Sequence, residues 1–513
     1  MTRVLVVGGG VSGLAAAHRL RTLLGPDAEI VVVEAARALG GKLAAVELGG
    51  RRVDTGAEAF LARRPEVTAR IAELGLDDQL VHPGRAASAL RVGGRTVPLP
   101  PRTVMGVPGE PEAAAGVLSP AGLAALREDR PGPWEPGGDV AVGALVRARL
   151  GDEVVDRLVD PLLGGVYAGR ADGLGVRATV PALAAALDAE PRSLLAAARS
   201  CLPVPPVEAA PPVADPEQPG SAVPGPPVFG TLRGGLADLP ATLALAARAD
   251  LRLGRTVTAL ARTATGWRAE VADAGSTDAG PVDADAVVLA VPAPAVRRLL
   301  ADHAPAAARA AGEIELASSA LVLLALPAAA AAPLAGRSGV LVGAGERRPD
   351  GLPWTIKAAT FSSEKWPHLA PAGPSVDPDD TAVLRLSVGR HGDAASLSAL
   401  RRDDDDLVSA ARDDLAALTG IDAVPVETAV VRWPGGLPQY GVGHLDRVAA
   451  ITDGVAALPG LEVAGAALHG VGVPACLATA DAAAQRVAAH LAAHPAAQSA
   501  AQSAAHPAAP VHG

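Results

Sequence analysis

The chain opens on a continuous apolar run, passes into an alanine-rich stretch of helical spacing, and returns to a second apolar run. Leu5, Val6 and Val7 predict a short strand buried on both faces. From Ser12 the stretch "SGLAAAHRL" predicts a helix, and "EIVVVE" predicts a second buried strand ending at Glu34. Farther on, Leu145, Leu150, Val154, Val155, Leu158, Val159 and Leu162 recur mostly three or four residues apart, which predicts helix from Val142 to Leu163. More helix is expected over 182–200, and "LRLGRTVTALAR" and "ADAVVLAVP" read as strands separated by glycine turns. The segment 316–336, "LASSALVLLALPAAAAAPLAG", is uncharged and long enough to span a bilayer. Its strongly apolar part, Leu321 to Leu326, has only strand length, so it reads as a buried strand followed by a proline-containing connection. Residues 203–227 are proline-rich without periodicity and read as a surface loop. The low-complexity tail, 493–513, reads as disordered.

From the end of the first strand into the first turn of the helix run Gly8, Gly10 and Gly13. In that context each glycine has a physical task. Gly8 permits a tight turn, Gly10 lets a pyrophosphate approach the backbone, and Gly13 lets the helix pack against the strand. The helix start, with Val11 and Ser12, offers unpaired N–H groups and a positive dipole end to an anion. Glu34, followed by Ala35, stands twenty-one residues beyond Gly13, where a carboxylate can accept ribose hydroxyls. The pattern predicts an α/β chain with a Rossmann-type domain that binds a dinucleotide.

Composition narrows the partners. At 513 residues the chain is long for one core, and two or three domains are expected. A net charge of −10 argues against nucleic acid as a partner. Cys201 and Cys476 are too few and too far apart for a disulfide framework, which fits a reducing cytoplasm. The first apolar segment is a strand rather than a secretory signal, and no transmembrane helix is expected, although peripheral membrane contact stays open. Asp403 to Asp406 read as the solvated start of a helix rather than a metal site, and no metal is expected. The chain has only three lysines, Lys42, Lys357 and Lys365. Each is an unusual choice in an arginine-rich sequence.

After Glu34 come Gly40, Gly41 and Lys42, and then "VDTGAEAF" with Gly56, Ala57 and Glu58. This arrangement resembles the extended FAD fingerprint of the flavin amine oxidase superfamily, although Ala38 stands where that family commonly has arginine. Five later segments carry a narrower resemblance: "DPLLGGVYAGRADGLGVRATVP", "FSSEKWPH", "VGRHGD", "RWPGGLPQYGVGH" and "AGAALHGVGVPACLATA". Together they resemble the oxygen-dependent porphyrinogen oxidases of haem synthesis, most closely the monoderm bacterial type that oxidises coproporphyrinogen III. The resemblance spans nearly the whole chain apart from the proline-rich loop and the tail.

That resemblance implies a discontinuous Rossmann-type FAD-binding domain (1–60, 228–300 and 445–492), a mixed-sheet substrate-binding domain (61–90 and 301–444) and a helical subdomain (91–202). One FAD per chain would be held without a covalent link. Gly465, at the end of a strand, would be a further cofactor contact, and Gly472 and Val473 would face the ring, since "GVGVPACLATA" reads as a glycine turn into a helix whose amides stabilise negative charge. Val257 would contact adenine through its backbone. Six hydrogens would leave coproporphyrinogen III in three two-electron steps, with dioxygen as final acceptor and hydrogen peroxide released. No catalytic residue is assigned, and Tyr440 and His444 are the polar candidates near the ring. The four substrate carboxylates call for cations: Arg63, Arg64, Arg91 and Lys357 foremost, then Lys365, Arg390 and Arg432. Transient contact with a ferrochelatase is a further implied partnership. Open alternatives are a protoporphyrinogen oxidase, another flavin amine oxidase or desaturase, a flavin-free NAD dehydrogenase, and a non-catalytic porphyrin-binding flavoprotein.

Overall fold

The computed structural model describes residues 2–203, 227–273, 280–371 and 380–494. The proline-rich loop and the tail, apart from their end residues, therefore lie outside the described residues. A five-stranded parallel sheet runs in the order Asp250–Leu253, Glu29–Glu34, Arg3–Val7, Ala286–Leu289, Leu461–Val463. Its central strands are apolar on both faces because both faces are covered. Val4, Val6, Ile30, Val32 and Val288 meet the helices Val11–Leu24, Asp238–Ala247 and Val473–Ala493. Leu5, Val7, Val31, Val33 and Leu289 meet the small antiparallel sheet Arg255–Arg262, Trp267–Asp273, Val282–Ala284 and three further helices.

The second sheet has seven strands, ordered Glu427–Pro438, Leu316–Pro327, Thr381–Val388, Ile356–Phe361, Arg337–Val342, Ala87–Val92, Arg95–Pro98. Neighbours are antiparallel except Arg337–Val342 with Ala87–Val92. The bilayer-length segment is one of its interior strands: Val322 and Leu324 face the helix Asp404–Thr419, while Leu323 and Ala325 face the other way. That other face receives the hairpin Ala45–Leu48/Arg51–Asp54 through Leu48 and Val53, which docks the sheet onto the dinucleotide-type domain. The acidic run Asp403–Asp406 opens a helix as expected, with the Asp403 side chain accepting the Asp406 amide at 2.9 Å.

The helical lobe departs from the expected long helices. Val142–Leu150 stops at Gly151, whose φ of +94° breaks the run. A turn of π-helix, Val155–Val159, then leads into Asp160–Tyr167. The expected helix over 182–200 is two helices, Pro181–Ala189 and Leu194–Ser200, interrupted at Glu190–Pro191. Among the described residues no helix is long and apolar enough to cross a membrane, and no cluster of three potential ligands could hold a metal ion.

Candidate active site

The three amino-terminal glycines meet different physical demands. Gly8 has φ +110°, and a Cβ there would strike the Ala290 carbonyl. A Cβ on Gly13 would strike the Gly8 carbonyl. Around Gly10 nothing lies within 4 Å of the Cβ position, and its φ of −76° is open to any residue. The space beside Gly10 is therefore kept clear without any backbone need for glycine there. Gly10 precedes the helix Val11–Leu24, whose first turn takes no side-chain cap, and Gly40 bonds across it through the Gly9 carbonyl at 2.8 Å. Gly41 follows in the left-handed region, its Cβ position 3.3 Å from the Gly10 Cα.

Glu34 fixes this turn from below. Its Oε2 accepts the Gly9 amide at 2.6 Å and its Oε1 the Ala36 amide at 2.7 Å, and the intervening Ala35, just past the strand end, is exposed. Each oxygen keeps a lone pair for a hydroxyl donor. The Gly254 amide bonds the Ala36 carbonyl at 2.8 Å, which ties the strand carrying Val257 to the same turn. Val257 is a buried residue at a bulge of that strand.

Two helix starts lie side by side here. The long helix Val473–Ala493 packs along Val11–Leu24, starts from Gly472 without a side-chain cap, and carries Pro474 in its first turn. The Ser12 hydroxyl bonds the Cys476 thiol, whose ionisation burial pushes up against the opposing pull of Ser12 and Lys42. Lys42 is exposed to solvent, and desolvation by the protein packed around it lowers the pKa of its ammonium. Gly465, at φ +123°, lies under Ser12 and donates its amide to Thr479 at 3.0 Å. Two uncapped, parallel helix starts, a lysine and a clear space beside Gly10 suit the diphosphate of a dinucleotide.

The segment after Lys42 is locked by contacts far apart in sequence. A Cβ on Gly56 would strike the Lys42 carbonyl, which also accepts the Ala57 amide at 3.1 Å. Asp54 accepts the Leu236 amide at 2.9 Å and the Ala237 amide at 3.3 Å, tying the hairpin to the start of Asp238–Ala247. Burial raises its carboxyl to about 6, against the pull of the Leu236 amide, Arg385 and the Ala237 amide. Glu58 behaves oppositely. Burial alone would raise its carboxyl, but Arg385 and Lys365, both ion-paired to it, hold it well below the usual carboxylate range. A small polar cavity beside these groups is lined by Asp54, Glu58, Thr231, His368 and Arg385. Thr231 Oγ1, His368 Nδ1 and Arg385 Nε are enclosed without protein partners, as expected of groups that bond buried water.

Tyr440 and His444 are buried behind the carboxy-terminal turn. The Tyr440 hydroxyl donates to the Ala466 carbonyl, and His444 Nε2 lies 2.9 Å from the Leu468 carbonyl. Burial raises the tyrosine ionisation and lowers that of the histidine. Their polar tips position the turn and are not free.

The expected cationic rim is scattered. Arg63 is exposed, and Arg64 pairs at 2.5 Å with Glu66 in the first turn of the helix Pro65–Glu73 that follows it. Arg91 is half-buried with its guanidinium 5.8 Å from the Trp354 ring centre. Lys365 is taken by Glu58, and Arg432 by Asp404 and the Leu400 and Arg402 carbonyls. Lys357 is buried. Residues the sequence reading missed include Arg385 and the amide pair Leu236–Ala237. Arg385 had a signal, a charged residue inside the otherwise apolar strand "TAVLRLSV".

Residues 11–488 match the family described as flavin containing amine oxidoreductase. The chain belongs to that family and is a flavin-dependent oxidoreductase. It is 43% identical over 484 residues to the coproporphyrinogen III oxidase of Mycobacterium tuberculosis (strain ATCC 25618 / H37Rv), covering 94% of this chain and 96% of the relative. The coproporphyrinogen III oxidase of Bacillus subtilis (strain 168) is 30% identical, covering 92% and 95%. Among solved structures, a provisionally named protoporphyrinogen oxidase from Exiguobacterium sp. 255-15 superposes with a TM-score of 0.78 at 30% identity, covering 95% of this chain and 99% of the other.

Proposed function

We propose that this enzyme oxidises coproporphyrinogen III to coproporphyrin III, reducing three molecules of dioxygen to hydrogen peroxide, with one FAD held without a covalent link. The observation that carries this reading is the 43% identity, across 94% of the chain, to a relative named for that substrate. FAD, when bound, supplies a hydride acceptor. In this reading Gly8, Gly10, Gly13 and Gly40 with Gly41 form the diphosphate cradle, with the first-turn amides of Val11 and Ser12 and the ammonium of Lys42 as its donors. Glu34 accepts ribose hydroxyls with the lone pairs that Gly9 and Ala36 leave free. The uncapped helix start at Gly472 and Val473 presents amides and a positive dipole end where negative charge accumulates. Gly56, Ala57 and Val257 shape the rest of the cofactor groove.

The pyrrole nitrogens of a porphyrinogen stabilise the positive charge that develops as its meso carbons are oxidised. No strong protein acid or base is then required, and the protein's contribution is orientation and electrostatics. That agrees with polar tips on Tyr440 and His444 that are engaged by the Ala466 and Leu468 carbonyls. The division into a discontinuous FAD-binding domain, a substrate sheet and a helical lobe belongs to the same proposal. Two free cysteines, Cys201 and Cys476, favour a reducing, cytoplasmic setting.

Steady-state kcat/KM for coproporphyrinogen III and protoporphyrinogen IX, on the same flavin-loaded preparation, tests the substrate. A clear preference for coproporphyrinogen III is expected. Preference for protoporphyrinogen IX would overturn the assignment.

A further inference from the structure

Lys357 stands in the strand Ile356–Phe361, where its pairing with Thr381–Val388 slips between Ile356 and Ala358. It is 6% exposed, and among the described residues its ammonium has no hydrogen-bond or carboxylate partner. The charged group that acts on it is a second cation, Arg390. Ile356 pairs with Val388, two residues before Arg390, and the Arg390 guanidinium donates to the Val342 carbonyl. Val342 ends the strand on the opposite side of Ile356–Phe361. The arginine therefore reaches across the strand that carries Lys357.

A buried lysine beside half-buried Arg390, with no anion of its own, is costly. An unpaired charge in low dielectric loses its hydration and gains nothing in exchange. The nearby carboxylates do not relieve Lys357. Asp160 and Asp393 act on Arg390, and Asp160 lies 3.6 Å from Arg170. The same seam is closed by Asp160–Tyr167, which packs on Arg337–Val342 and Ile356–Phe361. The His391 amide bonds the Ala168 carbonyl at 2.7 Å, just past the end of that helix, and Gln439 bonds the Tyr167 carbonyl at 2.8 Å. The Tyr167 ring centre lies 5.6 Å from that of Tyr440, which holds the cofactor-side turn. The cation pair thus lies one helix away from the candidate active site.

We propose that Lys357 and Arg390 form an interior anchor for one carboxylate of the substrate, and that this anchor, rather than Arg63 or Arg64 at the surface, selects a carboxylated tetrapyrrole. The proposal rests on the porphyrinogen reading above. Arginine supplies a fixed fork and a permanent charge. Lysine, which burial beside Arg390 brings down to about 7, can take up a proton as the carboxylate arrives.

The test is binding of coproporphyrin III and of its tetramethyl ester to flavin-loaded wild type and Lys357→Met, followed by porphyrin fluorescence quenching. The wild type should bind the acid, and Lys357→Met should bind it about tenfold or more weakly, the scale of one charge-assisted contact. Affinity for the ester should be unchanged, and the melting temperature should hold or rise because an unpaired charge has been removed. Equal affinity of wild type and variant for the acid overturns the anchor and leaves the substrate reading standing. Failure of the wild type to bind either porphyrin overturns both. Should the variant not fold, the wild type decides. Its affinity for the acid should fall as pH rises from about 6 to about 9, while that for the ester stays flat. A flat profile for the acid overturns the proposal.

Discussion

Tyr440 and His444 stack ring on ring, with centroids 3.9 Å apart and planes 19° from parallel. Both direct their polar tips at one turn, Tyr440 at the Ala466 carbonyl and His444 at the Leu468 carbonyl. That turn leads directly into the uncapped helix at Gly472. The pair is a brace for the turn, built from two residues that sequence alone offered as chemistry. Tyr440→Phe keeps the stack and removes one hydrogen bond, so it should lower stability by about 1–2 kcal/mol. The pH profile of kcat should not change. Loss of a titration step from that profile would make Tyr440 an acid–base residue.

The glycine cradle separates folding from cofactor binding. Gly10→Ala meets open space and an ordinary φ, so its cofactor-free form should melt with the parent while binding flavin far more weakly. Gly13→Ala drives a Cβ into the Gly8 carbonyl and should lose both stability and flavin. Flavin content and melting temperature on the two variants check the contrast, which full flavin retention in Gly10→Ala would refute.

Asp54 carries a pH signature of opposite sign to most carboxylates. Its folded value of about 6 is above the model-peptide 3.8, so its contribution is fully present below about pH 4 and is lost as pH rises through 6. At 1.36 kcal/mol per pH unit the loss is ~3 kcal/mol. Denaturant unfolding of wild type and Asp54→Asn at a series of pH values should show the wild type falling relative to the variant across that window. Parallel curves would remove the assignment.

Glu58 is the counter-charge for Lys365 and Arg385, its side chain 12% exposed. Glu58→Gln leaves two cations facing one another and should destabilise by about 3 kcal/mol. Lys365→Met should cost less, because Arg385 still neutralises the carboxylate. Equilibrium unfolding of both variants ranks them, and the reverse order would show that Lys365 is the principal partner.

What could be read in the sequence was local. The apolar runs, the glycines between them and Glu34 all lie within one βαβ unit, so periodicity and turn geometry sufficed. The apolar part of the bilayer-length run 316–336 is too short for a membrane helix, and the run begins with the strand Leu316–Pro327. The breaks at Gly151 and Pro191 were visible as residue types, yet the strong three- and four-residue spacing around them masked their effect. Contacts between residues far apart in the chain had no such signature: Asp54 with Leu236 and Glu58 with Arg385. Whether a cation is free or already paired is decided by tertiary packing, which is why the rim of candidate arginines thinned and Lys357 stood out.

The most direct measurement is anaerobic mixing of the flavin-loaded protein with coproporphyrinogen III while the visible flavin absorbance is recorded. Loss of that absorbance is predicted, with one porphyrinogen discharging up to three flavins, consistent with removal of six hydrogens in two-electron steps. Admitting oxygen should restore the absorbance and release hydrogen peroxide. A bound flavin whose absorbance stays unchanged on mixing would contradict the assignment at its centre.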